Sequence, residues 1–216
     1  MKRATLWIGI AALLASLTAC NDQPATPRAD YFPTPPKGSW RYVNTYAFHR
    51  DSASFGSDTS AYAIEKDTIV DGKQYAVLTL TLHWGYRYQW GIRKANGNYY
   101  SLVLGTSGPG KERLFLKDNL PAGGSWEESS EDGHSKRVYT ITARPAEKRI
   151  GEKVYRDVIE VEEEVWTKEA DGQFAPRWVV EHCYARNVGR IYAYYPYPSF
   201  LTYSDQELEL LEYNPR

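Results

Sequence analysis

Proton, metal and nucleophile chemistry in this chain of 216 residues would fall to four histidines, two cysteines and 27 acidic residues. His49, His83, His134 and His182 are widely separated. They show no metal-ligand spacing, such as two imidazoles on one helical face, so no metal site is expected and each reads as a surface or half-buried residue. If Asp171 and Gly172 close a hairpin by a two-residue turn, Glu163 comes diagonally across from His182, and the two could share a proton. The better reading is a structural ion pair. Cys183 falls in an apolar strand pattern without an activating neighbour and reads as inert. Gly105 to Lys111 comes close to a phosphate-binding loop, but Glu112 stands where Ser or Thr would hold magnesium, and Arg113 to Leu116 reads as strand rather than helix. No nucleophile elbow is present, and no pair of carboxylates has a spacing that identifies a glycosidase. The sequence therefore predicts no catalytic residue and no cofactor.

Aromatic side chains are the stronger signal, with 18 Tyr and seven Trp. Tyr192, Tyr194, Tyr195, Tyr197, Phe200 and Tyr203 crowd a segment broken by Pro196 and Pro198. Flat faces of this kind suit sugar rings or the apolar groups of a protein partner. Trp84, Tyr194, Tyr195 and Tyr197 are the candidate binding residues, the alternative being that the segment folds back as a lid over an open sheet.

The elements that must position these groups are strands. From Leu78 to Ile92 every second residue is apolar or aromatic, a period of two. A three-residue loop at His83, Trp84 and Gly85 preserves that parity and sets Leu82 beside Tyr86, with Gly85 in the left-handed position. A second three-residue loop, at Asp71 to Lys73, would lay Ile64 opposite Leu80 and Tyr62 opposite Leu82. Asn96-Gly97 is the clearest two-residue turn. Strands are also expected at Gly38 to Val43, Tyr62 to Val70 and Tyr99 to Leu104, with a polar loop from Arg50 to Ser60. Ser204 to Tyr213 fits a capped helix or a bulged strand, and its β context favours the strand. The expected fold is all-β, an antiparallel meander of about ten strands forming a curved sheet, an open barrel or a sandwich. Gly124-Ser125-Trp126 repeats Gly38-Ser39-Trp40, and Glu147-Lys148 repeats Glu65-Lys66, which suggests two similar halves, 38–120 and 121–216.

The start of the chain gives an address. Lys2 and Arg3 precede an apolar run from Leu6 to Leu17, the pattern of a signal peptide over residues 1–19. Its ending, Leu17-Thr18-Ala19-Cys20, resembles the lipobox of bacterial lipoproteins, which implies cleavage before Cys20 and acylation of that cysteine. Residues 20–37, rich in proline, read as a tether, and 38–216 as a single β-domain. Without Lys2 and Arg3, 24 basic residues face 27 acidic ones, a net charge of −3. Nothing suggests a nucleic-acid surface. Only Cys183 then remains, so no internal disulfide can form.

Gly-x-Trp near a first strand also occurs in lipocalins. A wider resemblance is to envelope lipoproteins of the Bacteroidetes, carried by Tyr31-Phe32-Pro33, by Gly38, Trp40 and Tyr42, and by Tyr184, Val188, Gly189, Ile191 and Tyr192. The first tryptophan spacing is one residue short of that pattern. The resemblance implies a membrane-anchored protein, in the outer membrane, and no specific activity. The leading expectation is a non-enzymatic binding or assembly module with an envelope protein or glycan as partner. The alternatives are a carrier of lipid or another apolar ligand and, third, an enzyme acting on polysaccharide. Cys20→Ser should move the protein from the membrane to the soluble fraction, because acyl chains contribute about 0.8 kcal/mol per buried methylene. Fractionation with intact mass measurement checks this, and unchanged detergent partitioning would contradict it.

Overall fold

The computed structural model describes residues 30–32, 38–47, 55–82, 85–105, 108–196 and 205–215. The signal segment, Cys20, Trp84 and Tyr197 lie outside them. Among the described residues every regular element is a strand: β1 (Gly38–Ala47), β2 (Phe55–Val70), β3 (Lys73–Thr81), β4 (Arg87–Ala95), β5 (Asn98–Gly105), β6 (Gly108–Pro109), β7 (Arg113–Lys117), β8 (Ser125–Ser129), β9 (Ser135–Ala143), β10 (Glu147–Ile150), β11 (Lys153–Arg156), β12 (Val158–Lys168), β13 (Phe174–Ala185), β14 (Gly189–Tyr195) and β15 (Asp205–Pro215). Thirteen form one sheet with the order β6-β5-β4-β3-β2-β1-β15-β14-β13-β12-β9-β8, and β7 pairs with β5. All pairings are antiparallel, as a meander requires. The strand count exceeds the ten expected because β6 and β7 are short and β10 and β11 form a separate hairpin.

Parity and turn chemistry explain most of the registers. Leu80 pairs with Tyr88, the Leu82 amide donates to the Tyr86 carbonyl at 2.9 Å, and Gly85 has φ +84°, which is the three-residue loop expected there. Ala95 pairs with Asn98 across Asn96 and Gly97, both at positive φ. The turn before β3 corrects the sequence reading. Val70 pairs with Lys73 across a two-residue turn with Asp71 at φ +49° and Gly72 at +72°. A bulge between Ile64 and Lys66 then restores the parity, so Ile64 faces Leu78 and Tyr62 faces Leu80. Apolar residues still meet apolar residues. β2 also begins earlier than expected, at Phe55, where Asn44 of β1 donates to Asp58 at 2.5 Å. Residues 205–215 are strand, bulged where β1 changes register between Arg41 and Tyr42.

The sheet curls into a nearly closed barrel. Its ends, β7 and β8, meet through side chains instead of a backbone ladder. Trp126 of β8 donates its indole N–H to the Leu114 carbonyl of β7 at 3.2 Å and stacks on Tyr139 of β9 with centroids 5.0 Å apart. Arg113 of β7 reaches the Tyr139 hydroxyl at 3.1 Å, and Arg144 holds the Asp118 carbonyl at 3.1 Å. Outside the wall, the β10–β11 hairpin is held by Lys148 to Glu160 at 2.8 Å and by Tyr155 to the Leu210 carbonyl at 3.4 Å. In the alignment of the halves, Glu147 and Lys148 match Glu65 and Lys66. The latter lie within the continuous strand β2, whereas the former leave the main sheet in this hairpin. Within the segment read as tether, Tyr31 and Phe32 are buried. Phe32 stacks on Trp40 at 5.8 Å, and the Tyr31 amide donates to the Tyr99 hydroxyl at 2.8 Å, so this pair belongs to the folded body.

Trp126→Phe should cost about 1 kcal/mol, the net worth of the lost hydrogen bond, and Trp126→Ala about 3–5 kcal/mol. Urea unfolding of the two variants measures both. Equal small losses would show that the seam does not depend on this indole.

Candidate functional site

Inward-facing side chains leave a cavity of about 480 Å³ inside the barrel. Its walls include Trp40, Tyr42, Tyr62, Trp90, Phe115, Trp178 and Tyr184, with Phe32 lying against Trp40 and Phe115. A row of rings continues from Trp90 to Tyr88, 6.1 Å away, and on to Tyr86 at 5.1 Å. Tyr86 and Tyr88 are exposed, although their parity matches the buried Leu78.

Charged residues share this interior with the rings, placed there by strand parity. On β12, Val161, Glu163 and Val165 share one face, and on β13 Trp178, Val180, His182 and Tyr184 do the same. Glu163 pairs with Val180 and Val161 with His182, the diagonal arrangement expected from the sequence. The turn itself is longer than expected, since Glu169 and Gln173 bracket three residues. A bulge between Val165 and Trp166 compensates. His182 Nε2 lies 3.0 Å from Glu163 Oε2, and Arg137 of β9 binds the other carboxylate oxygen. Arg113 stands 4.0 Å from that same oxygen. Two strands along the sheet, Arg190 of β14 donates to the Tyr195 hydroxyl at 3.0 Å, while Tyr42 donates to the Arg190 carbonyl at 2.7 Å.

Burial by itself would raise the Glu163 pKa. The His182 hydrogen bond and the Arg137 guanidinium reverse that effect and bring it down to about 2. Burial holds the His182 imidazole below its ordinary range despite the raising effect of Glu163. An ionised carboxylate can only accept, so the neutral ring donates through Nε2 and keeps Nδ1 as an acceptor. Nδ1 is buried without a hydrogen-bond partner, as is Nε of Arg190. Among the described residues of the cavity lining, three guanidiniums, those of Arg113, Arg137 and Arg190, accompany one carboxylate, an excess of two positive charges. Glu128 adds a further negative neighbour to Arg113.

The sequence candidates are dispersed. Tyr195 lines the cavity and meets His182 edge-on at 5.8 Å. Tyr194, on the opposite face of β14, donates to Asp205 at 2.8 Å. Trp84 and Tyr197, like His49 and His83, lie outside the described residues. His134 is exposed, but His182 is buried where the sequence suggested a surface or half-buried residue. Cys183 lies under the outer hairpin, where burial pushes its thiol up to about 11, against the lowering effect of Lys148. The loop resembling a phosphate site is followed by strand β7. Sequence reasoning missed Arg113, Arg137 and Arg190. For the first two the signal was parity, since Arg113 is in phase with Phe115 and Arg137 with Tyr139 and Ile141; Arg190 has the phase of Tyr194 and is turned inward by the register shift between Cys183 and Tyr184.

No family model and no curated protein matches the chain. Among solved structures it is similar to a "putative exported protein with YmcC-like fold" from Bacteroides fragilis, with a TM-score of 0.53 at 10% identity, covering 87% of this chain and 100% of that one. A "putative lipoprotein" from Parabacteroides distasonis aligns with a TM-score of 0.49 at 13% identity, over 86% and 99% of the two chains. The first likeness shows a shared fold.

Glu163→Gln removes the charge that Arg113 and Arg137 share and should cost about 3–5 kcal/mol. Both shifted groups bind fewer protons folded than unfolded. Stability should therefore be full above about pH 6.5, decline below it as unfolded His182 protonates, and fall faster below about 4.5 as unfolded Glu163 does. Urea midpoints from pH 7 to 4 test this, and His182→Gln should flatten the upper part of the decline.

Proposed function

We propose that this chain is a lipid-anchored, non-enzymatic binding protein of the cell envelope that takes a small ligand with an apolar body inside its barrel. The carrying observation is the cavity of about 480 Å³ with aromatic walls. Ligand pockets typically span about 300–1,000 Å³ and combine apolar walls with a few fixed polar groups, and this interior has both. A module that offers only its outer surface would fill such a space with side chains. A carrier is thus better supported than an assembly module with a filled core. The lipobox-like ending at Cys20 supports anchoring, and the export named for the Bacteroides fragilis neighbour agrees with an envelope address, read here as the outer membrane. Hydrolysis of a polysaccharide by paired carboxylates finds less support, because Glu163 is the only acid among the described residues that line the cavity and is held by Arg137 and His182.

Ser101 on the cavity wall provides the test. Organic extracts of the protein purified from its own membranes should contain a non-covalently held small molecule. Ser101→Trp, which fills the cavity, should lose that molecule while still melting cooperatively. An equal load in both proteins, or none in the native one, would overturn the reading.

A further inference from the structure

The interior is cationic as well as aromatic, and a simple apolar carrier does not need that. Burying a guanidinium is unfavourable unless an opposite charge or strong acceptors compensate it. Glu163 has both oxygens engaged, by His182 and by Arg137, and Arg113 shares the second oxygen only at 4.0 Å. Arg190 lies two strands along the sheet. Its hydrogen bond to the Tyr195 hydroxyl goes to a neutral group, and its Nε is buried without a partner. Guanidiniums of this kind, in a partly dry space, are the usual partners of carboxylate and phosphate oxygens. Next to them the row from Trp90 through Tyr88 to Tyr86 runs from the cavity to exposed positions at the β3–β4 end, an apolar track for the rest of a molecule.

Resting on the cavity reading above, we propose that the ligand is an amphipathic anion, whose carboxylate or phosphate head sits among Arg190, Arg113 and Arg137 and whose apolar body lies along the aromatic wall. The charge excess selects against neutral and cationic amphiphiles of the same length. It also assigns the arginines a binding role that strand structure alone does not require.

The test uses the full chain carrying Cys20→Ser, so that no membrane or detergent competes, with tryptophan fluorescence and calorimetry as readouts. The probes are dodecanoate, dodecyl phosphate, dodecanol and dodecyltrimethylammonium, each below its micelle concentration. Both anions should bind at least about tenfold more tightly than dodecanol, and the cation most weakly. Comparing dodecanoate with dodecyl phosphate identifies the preferred head. Arg190→Gln should reduce the preference for the anions over dodecanol towards one without weakening dodecanol itself. Arg113→Gln provides the same comparison if Arg190→Gln does not fold, and the native comparison needs no variant. Dodecanol binding as tightly as the anions, or an anion preference unchanged in a folded arginine variant, overturns the anion proposal and leaves the cavity reading intact. If none of the four binds, the proposal fails, and the extraction experiment above judges the cavity reading separately.

Discussion

The structure depends on the pairing of its first strand with its last. β1 and β15 run antiparallel from Gly38 opposite Pro215 to Ala47 opposite Asp205, and this ladder joins two meanders that would otherwise each end in an open edge. It also sets the interior. Trp40 and Tyr42 of β1 reach past β15 to β14, with the indole on the Val188 carbonyl at 2.5 Å and the phenol on the Arg190 carbonyl at 2.7 Å. The Arg190 backbone is thereby fixed two strands from Glu163. A contact between the two ends of the folded region carries a high loop-closure cost and forms only once much of the chain is in place.

Curvature brings β7 and β8 near each other without pairing them, and this seam differs in kind from the rest of the wall. Elsewhere the strands are held by main-chain ladders that almost any sequence could supply. At the seam Trp126, Arg113 and Arg144 span the gap, so closure there depends on the identity of a few side chains. Arg113 belongs both to the seam and to the cavity lining, so barrel closure and the interior charge are coupled through one residue.

The interior trades packing for polarity. A carboxylate, an imidazole and three guanidiniums occupy positions that aliphatic residues would fill in a dense core, and the mutual arrangement of Glu163, His182 and Arg137 keeps that tolerable. The well-packed parts lie to either side. Ile141, Ile159 and Ile191 are fully enclosed, and the β10–β11 hairpin covers the outer face where Cys183 sits.

Much of this was legible in the residues. Alternation is local, because successive side chains on a strand point to opposite faces, so the β class, the inward face of β3 and β4, and the pairing of Glu163 beside His182 could be read from spacing. Asn96-Gly97 and Gly85 set their turns through the positive φ that each requires. Other features are not local. The bulges at Ile64 and Val165 offset turns that differ by one residue from those the parity alone would choose, and they appear only when both strands are present. Tyr86 and Tyr88 have the parity of buried residues but stand exposed, because burial depends on what lies opposite as well as on phase. Arg113 and Arg137 were visible as charges in an apolar phase, whereas Arg190 has the phase of the outward-facing Tyr194 and turns inward only through the register shift that sets it opposite Tyr184. Their convergence on one cavity was not legible, because Arg113 comes from the opposite end of the sheet to Arg137, and only closure brings β7 beside β8 and β9.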